Sequence, residues 1–479
     1  MQVDVVSTSR VGGNRPLVFD SPDAPADKHA LEVLEKHVLN ADLAAAPVVL
    51  PDFHHKPTME MPSSIAVATR AQVWPTLTSA SLNCGMALIA LDADRPHAEA
   101  ICEFYEQVKH RYPFPAKHRR DLSVEDVLRC AADGASFAFD RFALDPAERE
   151  RVELGGHLDI EAYGGLERIR RELPLSVVQL SRMRFGTVGP SNHFVELQQV
   201  EEVLDPVAAS RLGVSLGQVT LQYHCGGGVL AGEMGALFGR RKRYTKPLRV
   251  QMALAKPIYH LASARSLDEL RTRFGLYFAH SYPPIDRSSS EGERLMLANA
   301  MAMNYGFAYR LATYAALRVI ASDTLAASGS RLIVDSPHNS IYEEEVGGRS
   351  AIVHRHNSCR AYPATSFPAG TAFGDVGQAL LLPGTNRTSS YLCVADEGAE
   401  RSLHSTCHGA GTIIKQFAQR ALSQPDPRQR RTLRFGYSDE RARIVDQLDD
   451  AGVDEALNIL VRHRLARPVA RMRPFAVLN

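Results

Sequence analysis

The stretch STCHGAGTIIKQF, residues 405–417, sets a histidine directly before Gly409-Ala410-Gly411 and then begins an amphipathic helical pattern. Glycines let a backbone approach a ligand closely or adopt positive φ, and a helix start offers free N–H groups to an anion. The stretch therefore describes a place to hold a phosphate. An imidazole at its lip can serve as acid, base, metal ligand or nucleophile, and the stretch alone does not choose among these.

Working outward, the 479-residue chain is long enough for one large core or several smaller ones, and 45% hydrophobic with 23% charged residues is the balance of a globular protein. Lys+Arg 55 against Asp+Glu 54 gives a formal charge of +1, which excludes a polycation that coats nucleic acid nonspecifically; any basic surface must be local. The start, MQVDVVSTSRVGGNRPL, lacks the basic-then-apolar order of a signal peptide, and no apolar run reaches the roughly 18–20 residues that span a bilayer. The expectation is a cytoplasmic protein with no membrane partner. The 7 cysteines carry no CxxC pair, which argues against a disulfide framework and a zinc knuckle.

Apolar spacing predicts a helix over 27–39, with Leu31, Leu34 and Val38 on one face, and a strand at SSIAVAT. Residues 124–155 read as helical, with the charge run DPAERERVE as a solvated face. From Phe185 the texture becomes strands broken by glycine-rich turns, FGTVGPSNHFVELQQV and GQVTLQYHCGGGVLAG. In the second, Val219, Leu221 and Tyr223 alternate with Thr220, Gln222 and His224, placing His224 on the more polar face. Residues 235–326 return to helical patterns and read as a helical insertion in a β-rich body. RLIVDSPHN, QALLLPG, SSYLCVAD and RMRPFAVLN then read as short strands. The class is α+β without regular βαβ alternation, in a single domain over 1–479, since no linker stands out.

Cys84 in SLNCGM, Asn192-His193 in GPSNHF, His224 in YHCGGG, His338 in DSPHN and His408 in CHGAG all sit beside glycines or at strand ends. Singly, each histidine reads as a hydrogen-bonded structural residue. Converged, these imidazoles and the thiol would make a site for zinc, manganese or a related ion.

In order along the chain, LPDFHHK, SLNCGM, GTVGPSNHFVEL, YHCGGG, DSPHN, VHRHNSCRAYP, LLPGTNRTSSY, STCHGAG and VARMRPFAV resemble the successive motifs of the RtcB-type RNA ligases. The resemblance implies a single catalytic domain with β-sheets around a metal site. It implies joining of an RNA 3′-phosphate or 2′,3′-cyclic phosphate end to a 5′-hydroxyl end, dependent on GTP and manganese, in RNA repair or tRNA splicing, with an archease-type activator as a possible partner. His408 would carry GMP as a phosphoramidate. Cys84 would bridge two manganese ions, His193 completing one site and His224 with His338 the other. Nucleotide contacts are implied for Asn192 at the phosphate, Glu196 at the guanine edge, and His338, Asn339, Pro383, Gly384, Thr385, Ser390, His408, Gly409, Ala410 and Gly411.

Four departures from the family's pattern stand out: Ser81 stands for the aspartate ligand, Thr412 for an arginine, His356-Asn357 for a lysine-glycine pair, and Asn479 for a lysine. One metal is thus expected to be held more weakly unless Asp52 reaches it, and loss of cations weakens or changes nucleotide binding. The alternatives are a metal-dependent phosphoesterase or a non-catalytic RNA-end binder. FGRRKRYTKPLR and VRHRLARPVARMR, the latter with Arg471 and Arg473, are the basic stretches that could track RNA; HRR at 118–120 reads as plain surface, and Tyr362 and Pro363 as packing residues.

Overall fold

The structure, a computed structural model, describes residues 15–55, 59–111, 120–189, 192–239, 246–278 and 283–479. Among these, a nine-stranded sheet dominates. Seven strands run in the spatial order Ala379–Leu382, Ser390–Ala395, Ala466–Leu478, Phe194–Val203, Val219–Cys225, Gly85–Leu91, Ser330–Pro337, every neighbouring pair antiparallel. Arg431–Phe435 joins Ala466–Leu478 in parallel and carries Arg443–Asp446 beside it. The GMALIAL strand shows why both faces are covered: Ala87, Ile89 and Leu91 enter the core under the helices, while Met86, Leu88 and Ala90 enter a second core with Val334, Leu381 and Met472.

The helical side is organised by Ser290–Leu325, a 36-residue helix capped by Ser289 and buried on nearly its whole circumference. Ala98–Arg111, Val124–Asp133, Ala135–Phe142 and Gly228–Phe238 pack around it. The second sheet has the order Leu17–Val18, Val48–His54, Ser63–Thr69, Arg349–His356, Asn339–Val346. His338 alone separates Ser330–Pro337 of the first sheet from Asn339–Val346 of the second, so the two sheets meet at that residue. Mixed helices and sheets agree with the α+β expectation. No helix among the described residues is long and apolar enough to cross a membrane.

The early helix runs Lys28–Val38, started by the Asp27 side chain on Ala30 N. Three local readings need correction. The run at 145–153 is not simply a solvated face, because Glu148 and Glu153 are buried: Glu148 accepts from Tyr314 Oη and Leu332 N, and Glu153 from Tyr342 Oη and Ser336 Oγ. Residues 185–189, 192 and 193 form no strand; it begins at Phe194. The segment after YHCGG is a helix from Gly228, apolar on all sides and so without the one-sided period that marks a surface helix.

Candidate active site

Sheet register assembles the site. Gly85 pairs with both Cys225 and Pro337, and His224 pairs with both Met86 and Phe194. Residues flanking these positions therefore fall in one row across four adjacent strands: His193 before its strand, His224 near the end of its own, Cys84 before Gly85, and His338 after Pro337. Strands lie about 4.8 Å apart, the spacing needed for side chains to share an ion. Gly85 permits the close approach, since a Cβ there would lie 2.7 Å from the Ser336 carbonyl oxygen and 2.8 Å from Pro337 Cα.

Cys84 Sγ lies 3.3 Å from His224 Nε2 and 3.6 Å from His193 Nε2. Ligand atoms of Cys84, His224 and His338 all fall within 4.8 Å of one another, a group able to hold a metal ion. The donor set fits a divalent ion. His224 Nδ1 is 2.8 Å from the Asn192 carbonyl oxygen, which turns Nε2 toward the thiol. Burial lowers the His193 pKa to about 4 and that of His224 well below its ordinary value, so both rings are neutral and keep a lone pair for a metal at neutral pH. Replacing Cys84 with alanine is expected to weaken divalent-metal binding at least about 100-fold, read by calorimetric titration of manganese into the full chain.

Sequence reading missed what holds the Cys84 turn. Arg310, fully buried on the long helix, makes a bidentate pair with Asp335 at 2.8 and 2.7 Å and donates to the Asn83 carbonyl and side-chain oxygens. Asn83 itself has φ 53°, in the left-handed region that asparagine tolerates. Asn339 closes the turn from the other side, its Nδ2 donating to the Ser81 carbonyl at 3.1 Å.

Beside the cluster lies a cavity of about 440 Å³. Asn192, Glu196, His224, Pro383, Gly384, Thr385, His408, Gly409 and Gly411 line it, together with His54, Asn386 and Asn479. Of the other expected nucleotide contacts, His338 packs its ring 4.7 Å from that of His408, and Ser390 stands behind the Pro383 loop, its Oγ 3.1 Å from Gly384 N. Asn339 is committed to the turn, and Ala410 caps a helix. Glu196 is buried, and burial pushes its carboxyl up to about 8 despite the Gln198 Nε2 donor at 2.7 Å.

The glycine loop corrects the opening expectation. The helix Gly411–Gln419 does follow His408, but Asp52 Oδ1 already accepts from Thr412 N at 2.6 Å and Ile413 N at 3.0 Å. Two of its first-turn donors are thus taken by a carboxylate, so Asp52 caps this helix, and it is not among the Cys84, His224 and His338 group. Neither Gly409 nor Gly411 has positive φ; a Cβ on Gly411 would meet nothing within 4 Å, so what the loop offers is room.

No Lys or Arg lines the cavity among the described residues. Thr412 bonds His54 Nδ1 at 3.1 Å, Asn479 accepts from Arg434, and Asn357, at φ 50°, donates its N–H to Asn339. The second basic stretch is matched internally, with Arg473 2.6 Å from Asp450, Arg467 2.7 Å from Asp205 and Arg471 2.9 Å from Glu202, so these cations do not form a free RNA track. Residues 240–245 of the first stretch, and His118 and Arg119, lie outside the described residues. Tyr362 packs as expected, stacked on His404 at 4.2 Å.

Fold and site together define an α+β protein with a metal-competent thiol–imidazole centre opening beside a polar cavity. Its family follows from comparison: the model for tRNA-splicing ligase RtcB matches residues 37–479, and the chain belongs to the RtcB family. The tRNA-splicing ligase RtcB of Pyrococcus horikoshii is 28% identical over 374 residues, 74% of this chain and 38% of its own length. That of Thermococcus kodakarensis is 25% identical over 456 residues, 90% and 86% of the two chains. The RNA-splicing ligase RtcB of Mycobacterium bovis is 28% identical over 419 residues, 83% and 88%. Against the Pyrococcus relatives the aligned stretch covers only 38 to 42% of their length.

Proposed function

We propose that the chain is an RNA ligase that joins a 3′-phosphate or 2′,3′-cyclic phosphate end to a 5′-hydroxyl end through a nucleotide carried on His408. Family membership supports the reaction class. The observation that carries the site assignment is the unbroken series of imidazoles, with ring centroids 4.9 Å apart for His193 and His224, 5.0 Å for His224 and His338, and 4.7 Å for His338 and His408.

In this reading a His408 ring nitrogen attacks the α-phosphorus of GTP, forming an N–P bond as pyrophosphate leaves. A 2′,3′-cyclic end is first opened by water to the 3′-phosphate; an oxygen of the RNA 3′-phosphate then takes GMP from His408 as the N–P bond breaks, and the 5′-hydroxyl oxygen attacks the RNA phosphorus, loses its proton and expels GMP. Cys84, His193, His224 and His338 would hold divalent manganese, which when bound neutralises the meeting phosphates and orients in-line attack. Asn192 contacts the nucleotide phosphate. Gly411 leaves space for it, and Glu196 accepts from the guanine N–H groups. The test is incubation of the chain with each labelled nucleoside triphosphate and manganese: a covalent adduct with GTP is expected, and no adduct with any nucleotide would end the proposal.

Glu196 makes nucleotide binding pH-dependent. Accepting two N–H donors requires the carboxylate, yet its raised pKa of about 8 leaves the empty site protonated at neutral pH. Below that pKa, binding must expel a proton. Affinity for GTP is therefore expected to rise up to about 10-fold per pH unit between about pH 6 and 8 and to level off above. Titration of a fluorescent GTP analogue across that range reads the slope, and Glu196→Gln should flatten it.

A second reading has its own observation. With no cation lining the cavity among the described residues, and Asp52 on the helix start, triphosphate capture is weakly supported. A metal-dependent phosphoesterase, in which water replaces the 5′-hydroxyl, needs no such capture. Broken RNA separates the two, because joining lengthens the strand and hydrolysis does not.

A further inference from the structure

The helical hairpin Lys246–His260 and Leu267–Tyr277 is anchored firmly on its inner side. Arg273 Nε lies 2.6 Å from Glu291 of the long helix, Tyr277 Oη donates to the same carboxylate, Lys256 Nζ donates to the Gly239 carbonyl, and the His260 and Tyr277 rings stack at 3.6 Å. Its other side is unlike an ordinary protein surface. Val250, Leu254 and Ile258 repeat every four residues along the first helix and are 62 to 67% exposed; Leu267, Leu270 and Phe274 follow on the second. Residues four apart share a helix face, so these form two apolar stripes on a rigid platform.

Scaled from their fractional exposures, the six residues expose roughly 600–700 Å² between them, and a symmetric pairing that covers all of it buries about twice that, at the low end of the ~1,200–2,000 Å² range of specific interfaces. Charge selects the occupant. The exposed Lys246 and Arg249 open the first helix, while Asp268, with its side chain 94% exposed and 3.7 Å from Arg271, opens the second. The six-residue turn between the helices lays the start of the second beside the end of the first. A two-fold axis through Leu254 then sets Val250 of one copy against Ile258 of the other. Arg249, about 7.5 Å from the axis at 1.5 Å per residue, comes level with the end of the first helix of the other copy, and so with its Asp268.

We infer that this hairpin is an interface between two copies of the chain, packed about a two-fold axis at Leu254. The inference stands apart from the proposed reaction, since none of these residues lines the cavity.

Sedimentation velocity on the full chain from about 1 to 100 µM tests it. Wild type is expected to form a dimer in that range. Leu254→Glu, which sets two carboxylates against each other at the axis, should weaken it at least about 100-fold with an unchanged circular dichroism spectrum. Arg249→Glu and Asp268→Arg should each weaken it about 10-fold, and the doubly substituted chain should recover, because the swapped charges again face each other. A wild-type chain that stays monomeric throughout, including one that binds phosphatidylcholine vesicles instead, overturns the inference. So does a dimer that Leu254→Glu leaves intact, or one that the charge swap fails to rescue.

Discussion

On the proposed reaction, His408→Ala is expected to lose the covalent nucleotide adduct completely and to lower RNA joining by at least about 10⁴-fold, because without the nucleotide carrier the 5′-hydroxyl must attack an unactivated 3′-phosphate in one step. The geometry makes the loss specific. His408 lines the cavity with its ring 4.7 Å from that of His338, tilted by 50°, yet it is outside the Cys84, His224 and His338 group that can hold a metal. The variant should therefore bind manganese as the wild type does. His224→Ala should show the opposite pattern, losing metal first and the adduct as a consequence. Gel detection of labelled GMP, run beside manganese titration of both variants, reads the two effects separately. An adduct that persists in His408→Ala would place the nucleotide on another residue.

Arg310→Met should be the most destabilising single change near the site. It leaves Asp335 as an unpaired carboxylate with no exposure, a loss of about 3–5 kcal/mol of folding free energy, measured by chemical denaturation. Arg310→Met combined with Asp335→Leu removes both charges from a buried position and should restore most of that stability. It cannot restore the two donors to Asn83. The double variant should thus fold with near-normal stability yet bind manganese about 10- to 100-fold more weakly, because the turn carrying Cys84 has lost its support. If metal affinity recovers along with stability, the Arg310 guanidinium serves the core and not the turn.

Legibility from sequence followed the range of the interactions. The early helix and the strands at 63–69 and 219–225 were readable because their cause is local periodicity. Cys84, His193, His224 and His338 were readable as candidates through the ordered motif resemblance, and the register of four strands shows what brings them together. Asp52 was not readable as the cap of a helix some 360 residues later, nor was Arg310 as the partner of Asp335, since such pairs leave no period in either segment. Glu148 and Glu153 looked solvated for the same reason: their partners Tyr314 and Tyr342 lie far along the chain. The closing strand was expected as a short stretch around RMRPFAVLN. Its full length, 466–478, was hidden by arginines that are paired and by Pro474, which is accommodated at a bulge.

That strand has a consequence for biosynthesis. Ala466–Leu478 follows every other strand of its sheet in chain order, yet it is wedged between Ser390–Ala395 and Phe194–Val203. During vectorial synthesis those two neighbours must wait with unsatisfied peptide groups along their facing borders until residues 466–478 leave the ribosome tunnel. Nascent chains stalled before that point should depend on holdase chaperones, and the cavity-lining carboxylate of Glu196, whose backbone register is to Val477, should become ordered only once that strand has zipped in.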